Sequence, residues 1–152
     1  MKETERLVKS FEDLYHGNPW LDVTIMGTLE NLTGVQASNR VFANRNTIWE
    51  IVNHLIAWRL NVLQRIQGNS IITPENNYIS EIRDSSEVAW KNTIEQLKES
   101  QRKWINFLRT FDENNFELIY PANGMTYYEH IQGILQHDAY HLGQIKLLAK
   151  SA

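Results

Sequence analysis

The sequence predicts an all-α protein that folds as a four-helix bundle. Apolar residues recur at three- and four-residue spacing along four segments, the pattern of one buried face on each of four helices. No segment alternates apolar and polar residues for long, so we expect essentially no sheet. Two segments open with a capping box, Thr47 to Glu50 and Thr126 to Glu129, which satisfies the first backbone N–H groups of a helix. The 152 residues are predicted to form one domain, 1–152, with a real core.

The first helix is predicted to be broken into two pieces. Residues 4–16 carry apolar side chains at helical spacing and end at Gly17, because glycine readily takes the left-handed conformation of a helix end. Asn18-Pro19 favours a restart, since asparagine is a good N-cap and proline suits the first helical position. We expect this second piece to run from Pro19 to about Asn31. The polar stretch 33–46 then forms a long connection with one helical turn around residues 35–39.

The other three helices are joined by connections of unequal length. The segment from Gly68 to Asp84 contains 17 residues, including Pro74, which is long for a bundle connection. A connection of that length can cross from one end of a bundle to the other, so helices two and three need not be antiparallel. From their caps and apolar stripes, these helices are expected over residues 47–67, 85–111 and 126–150.

Composition excludes several classes of function. The 15 basic and 18 acidic residues are scattered and give a net charge of −3, unlike the clustered basic face of a nucleic-acid binder. The chain has no cysteine, which excludes disulfides, thiolate metal sites and a cysteine nucleophile. Residues 1–6 lack the apolar core of a signal peptide, and no apolar run approaches the roughly 20 residues of a membrane span. We therefore expect a cytoplasmic protein with no nucleic-acid or membrane partner.

Histidines mark the fourth predicted helix. His137 lies about 20° to one side of His130 on a helical wheel and His141 about 20° to the other. All three are expected on the buried arc that also carries Ile134 and Ile145. His137 and His141 are four residues apart, which allows both imidazoles to bind one metal ion, although such a pair also arises by chance.

A third ligand would have to come from elsewhere in the chain. His130 is about 10 Å along the helix axis from His137, which favours a core or supporting role. His16 lies at a polar helix end and is expected on the surface. His54 is on the edge of the apolar stripe of helix two, so we predict His54, His137 and His141 as the ligands. From these residues alone, a metal site and ordinary buried histidines remain equally good interpretations.

Two motifs resemble the DinB-like superfamily. One is the stretch from Thr47 to Arg59, with His54 followed by Trp58-Arg59, and the other runs from His137 to Ile145 and reads HDAYHLGQI. The resemblance implies a four-helix bundle in which helices two and three are parallel and joined by a long crossover. It also implies that one histidine of helix two and the HxxxH pair of helix four hold a divalent metal, and that the protein forms a homodimer. Three imidazoles suit zinc, nickel or iron.

The same resemblance implies a type of enzymatic reaction. Some DinB-like proteins are S-transferases that use low-molecular-weight thiols such as bacillithiol or mycothiol, so we expect a metal-dependent thiol S-transferase acting on a small electrophile. A metal-dependent hydrolase is an alternative, because the segment from His137 to His141 differs from HExxH only by Asp138, although a structural role for that shorter side chain is preferred. A non-enzymatic metal-binding stress or interaction protein is another.

Several neighbouring residues have two interpretations each. Arg59 could meet an anionic substrate group or lie on the surface. Gly143 could let helix four approach another helix closely or could simply be tolerated. Aromatic residues could line a pocket over the metal or pack within the bundle: Trp58, Tyr127, Tyr128 and Tyr140.

Overall fold

The computed structural model describes residues 1–152, and all of its regular elements are helices. A single β-bridge pairs Ile119 with Thr126 ahead of the last helix. The all-α prediction is therefore confirmed. None of the helices is both long enough and apolar enough to cross a membrane. The elements in chain order are α1 (Glu3–His16), α2 (Ile25–Leu29), α3 (Gly34–Ser38), α4 (Ile48–Ile66), α5 (Glu87–Thr110), a short 3-10 turn (Glu113–Asn115) and α6 (Tyr127–Ala149).

The four long helices α1, α4, α5 and α6 form the bundle, and side-chain contacts fix their directions. Trp49 at the start of α4 donates from Nε1 to Thr93 near the start of α5, at 2.9 Å. Ile66 and Leu108, which close these two helices, share one apolar cluster. α4 and α5 therefore run in the same direction, and residues 67–86, the crossover, connect the end of α4 to the start of α5. Leu148 near the end of α6 shares an apolar cluster with Ile48 at the start of α4, so α6 runs opposite to α4.

Two apolar clusters build the core, one toward each end of the bundle. The first surrounds Trp90 and Leu97 with the early part of α4 and the late part of α6. The second surrounds Trp104 with α1, the end of α4 and the start of α6. Because each cluster joins all four long helices, the arrangement of α4 against α6 is held from both sides.

Both predicted capping boxes are present. The Thr47 hydroxyl accepts from the backbone N–H of Glu50, whose carboxylate accepts from the backbone N–H of Thr47. Thr126 and Glu129 make the same pair of bonds at the start of α6. The helical turn expected near residues 35–39 is also found, as α3.

The predicted helix from Pro19 to Asn31 is wrong. The Pro19 carbonyl accepts from the N–H of Asp22, which closes a turn, and Asp22 has a left-handed φ of 57°. The helix starts later because Thr24 supplies the N-cap, its hydroxyl accepting from the N–H of Gly27. Only Ile25–Leu29 is helical, and Trp20 is fully exposed. The local signals of Asn18-Pro19 fit a turn as well as they fit a helix start.

Candidate metal centre

Antiparallel packing of α4 against α6 brings the three predicted ligands together. The ring centroids of His54, His137 and His141 lie 4.4 to 4.9 Å apart. Their ligand atoms all lie within 4.8 Å of one another. The Nε2 atoms of His54 and His137 are 2.9 Å apart. This cluster could hold a metal ion.

Hydrogen bonds orient two of the three rings. His54 Nδ1 donates to the backbone carbonyl oxygen of Asn77 at 2.7 Å, and His141 Nδ1 donates to Oε1 of Gln144 at 2.7 Å. Each partner oxygen can only accept, so Nδ1 carries the hydrogen and Nε2 presents a lone pair. Metal-binding histidines are typically held in this way.

The close approach of the two Nε2 atoms bears on whether the residues fit a cation. At 2.9 Å, the lone pair of His54 Nε2 would be repelled by a second lone pair on His137 Nε2, unless a proton or a cation lies between them. A divalent ion bound by neutral imidazoles meets this requirement, and so the donor set fits a metal.

Burial favours the protonation state that a metal needs. Burial lowers the pKa of His54, and the hydrogen bond to Asn77 only partly opposes this. Burial also lowers the pKa of His141 to about 4, against the opposing effect of Gln144. Both imidazoles are therefore neutral near pH 7, and only neutral imidazole binds metal.

The site opens to solvent through a small pocket of about 330 Å³. His137 is half-buried, with 24% of its side chain exposed. A metal held by three histidines would thus keep a position that a small molecule can reach, as catalytic sites do. The aromatic residues Trp58 and Tyr140 line the pocket as expected, whereas Tyr127 and Tyr128 pack with the second core cluster. The remaining lining residues are Asn46, Asn77 and Ile79.

Asp138 and Arg59 form a buried ion pair beside the site. Arg59 Nε and Nη2 donate to Oδ2 of Asp138 at 2.9 and 2.7 Å, and 1% and 0% of the two side chains are exposed. Both predicted placements of Arg59, on the surface or toward a substrate, are wrong, because its charge is neutralised by a carboxylate 79 residues away in sequence. Asp138 is fully buried in this ion pair, which fits the structural interpretation preferred from the sequence.

The other histidines stay apart from the cluster. His130 is buried against the edge of Tyr120, and His16 is exposed at the end of α1. The buried stripe of α6 includes Asp138 and Leu142, which places His137 and His141 at its edge rather than at its centre.

Gly143 does not serve close packing within the chain. It is exposed, and no atom of a neighbouring helix lies within 4 Å of where its Cβ would be. The prediction of a close helix approach within this chain is therefore wrong.

Sequence reasoning missed the two residues that orient the ligands. Gln144 follows His141 by three residues on the same helix, a spacing that could have suggested the contact. Asn77 lies in the crossover, and its contact with His54 has no local signal in the sequence.

The bundle gathers one imidazole from its second long helix and two from its fourth, and this cluster could hold a metal ion. The DinB superfamily model matches residues 24–145. The chain belongs to the DinB superfamily, and the resemblance expected from the two motifs is confirmed. No curated protein and no solved structure gives a significant match.

Proposed function

We propose that the protein binds one divalent metal ion, zinc, nickel or iron, through the Nε2 atoms of His54, His137 and His141. The observation that carries this proposal is the convergence of three imidazoles, two of them oriented by oxygen acceptors on Nδ1. Nitrogen ligands about 2 Å from one tetrahedral ion are about 3.3 Å apart. The 2.9 Å separation and the 4.8 Å limit of the cluster bracket that value, so small ring rotations suffice.

We further propose that the site is a thiol S-transferase that joins a low-molecular-weight thiol to a small electrophile. A divalent metal would hold the thiol sulfur as a thiolate, which is the reactive nucleophile. The thiol proton goes to solvent, the sulfur forms a bond to the electrophilic carbon, and the leaving group departs with the bonding electrons. Trp58 and Tyr140 bound the pocket in which the two molecules would meet.

The position of Asp138 speaks against the hydrolase alternative. A general base of the HExxH type must reach the water on the metal. The Asp138 carboxylate is fully buried, and one of its oxygens accepts two hydrogen bonds from Arg59. It is also not among the residues that line the pocket.

Cobalt titration of alanine variants tests the metal site. We expect the wild type to bind one Co²⁺ with the visible spectrum of a nitrogen-ligated ion, and His54→Ala, His137→Ala and His141→Ala to lose it. His16→Ala is the matched control, because the same substitution is made at an exposed position outside the cluster. Stoichiometric binding by all three site variants would refute the ligand assignment.

Adding thiols to the cobalt-loaded protein tests the chemistry. We expect cysteine or bacillithiol to produce a sulfur-to-cobalt charge-transfer band in the wild type. A spectrum that no thiol changes would contradict the transferase proposal while leaving the metal site intact. A metal-dependent hydrolase and a non-enzymatic metal-binding protein would then remain as the alternatives.

We also propose that the outer face of α6 supports a homodimer. Tyr140 and Leu147 are 66% and 62% exposed on that face, and Gly143 between them offers a flat approach. Sedimentation velocity of the wild type should show a dimer, and Leu147→Glu should shift it toward monomer. A wild-type monomer at all concentrations would refute this proposal.

A further inference from the structure

The buried ion pair lies next to the candidate metal ligands on both helices. Arg59 is five residues after His54 on α4, and Asp138 directly follows His137 on α6. The pair therefore links the same two helices that supply the imidazoles. One carboxylate oxygen, Oδ2, accepts both hydrogen bonds from the guanidinium.

The second carboxylate oxygen of Asp138 and one ring nitrogen of His137 make no hydrogen bond. Asp138 Oδ1 and His137 Nδ1 are both buried and have no hydrogen-bond partner. The two atoms are 3.7 Å apart. Buried polar atoms without a partner are uncommon in folded proteins, and here an acceptor and a potential donor face each other.

His137 is also the only one of the three candidate ligands without an oriented Nδ1. His54 and His141 each donate from Nδ1 to an oxygen, and this leaves Nε2 free for a metal. For the third ring, Oδ1 of Asp138 lies 3.7 Å from Nδ1 and could accept from it after a small side-chain shift. A carboxylate that accepts from a ligating histidine fixes the ring, favours hydrogen on Nδ1 and makes Nε2 a better ligand.

We propose that Asp138 is a positioning residue for His137, with Oδ1 accepting from Nδ1–H when a metal occupies the cluster, and that Arg59 holds the carboxylate in place. The proposal rests on the metal site proposed above. A cation between the Nε2 atoms requires the His137 hydrogen to be on Nδ1, where Asp138 receives it. The carboxylate also adds a negative charge beside a cation whose three ligands are neutral.

Metal affinity of paired variants separates this role from a purely structural ion pair. Asp138→Asn keeps the shape but removes the charge, and we expect cobalt or zinc to bind roughly 10- to 100-fold more weakly. Because an unpaired Arg59 could disturb folding, the double variant Arg59→Met with Asp138→Leu replaces both charges by apolar groups, a change that buried ion pairs often tolerate. We expect it to bind metal as weakly as Asp138→Asn. Asp22→Asn, at an exposed aspartate, is the matched control with wild-type affinity.

A spectroscopic readout tests the hydrogen bond itself. In the zinc-loaded wild type, nitrogen-15 NMR should show the His137 Nδ1 proton exchanging slowly with water and shifted downfield. In Asp138→Asn this shift should be reduced.

The outcomes discriminate between the two proposals. If the double variant binds metal with wild-type affinity, or if the His137 signal is unchanged in Asp138→Asn, the positioning role of Asp138 is refuted. The proposed metal site is unaffected by that result. A wild type that binds no metal would overturn the proposed metal site, and the positioning role with it.

Discussion

The crossover between α4 and α5 carries backbone strain where it contacts the histidine cluster. Asn77 and Tyr78 are consecutive non-glycine residues with left-handed φ values of 52° and 60°. Asn77 uses its carbonyl for His54 and its side-chain Oδ1 for Nε1–H of Trp58, at 3.0 Å. A strained backbone conformation of this kind persists only where several surrounding contacts hold it in place. We therefore predict that the conformation of Asn77 contributes to both stability and metal affinity.

Comparing two substitutions at position 77 isolates the effect of its left-handed backbone conformation on stability. Asn77→Gly and Asn77→Ala both lose the hydrogen bond from Trp58 Nε1. That bond is exposed to solvent and contributes about 0.5 to 1 kcal/mol to stability. A positive φ costs the folded alanine variant about 1 to 2 kcal/mol, whereas glycine adopts it freely. The alanine variant recovers about 0.4 to 1 kcal/mol relative to glycine, because its unfolded chain is less flexible. The alanine variant should be less stable than the glycine variant by about 1 kcal/mol, roughly fivefold in the unfolding equilibrium.

Urea unfolding and cobalt titration measure the two consequences. Asn77→Gly keeps the carbonyl over His54 and should retain cobalt affinity close to the wild type, whereas Asn77→Ala should bind several-fold more weakly. The same pair at Asn76, which has no left-handed φ, is the control, and there glycine should be the less stable variant. An Asn77→Ala protein at least as stable as Asn77→Gly would refute a strained, well-ordered crossover.

Three further results follow from burial and from ligand linkage. Leu97→Ala in the core should cost about 2 to 5 kcal/mol in urea unfolding, whereas Val88→Ala at an exposed position of the same helix should change stability by less than about 0.5 kcal/mol. Burial lowers the pKa of His130, and of His141 to about 4, so the unfolded chain takes up protons that the fold does not. Metal-free stability should therefore fall as the pH drops below about 6.5 toward 4, and His130→Phe should flatten part of that fall in urea unfolding. Zinc at 100 times its dissociation constant should stabilise the wild type by about 2.7 kcal/mol and His137→Ala not at all, as measured by thermal unfolding with and without chelator.

Local signals in the sequence were enough to place the long helices. The capping boxes at Thr47 and Thr126 fix the starts of α4 and α6 through bonds that span only three residues. The i, i+4 spacing of His137 and His141 is likewise local. Where two local signals compete, as Asn18-Pro19 and Thr24 do, the sequence alone does not decide, and the helix starts at the later one.

Long-range contacts explain what the sequence could not provide. The burial of Arg59 depends on Asp138, and the orientation of His54 depends on a carbonyl in the crossover. A charged residue next to a half-exposed Trp58 resembles a surface position in any local pattern. His54 is the third candidate ligand because it lies at the edge of the apolar stripe of helix two, and the motif resemblance points to the same residue. The structure places it beside His137 and His141.

The polar contacts between α4 and α6 have an energetic consequence. A buried ion pair and three clustered imidazoles contribute little net stability, because desolvation offsets much of their attraction. The apolar clusters around Trp90 and Trp104 lie toward the two ends of the bundle and hold the helices on both sides of this polar region. The fold therefore holds the three imidazoles together from outside the polar region. Such preorganisation would let the proposed metal site use the energy of three nitrogen ligands without first having to order the helices that carry them.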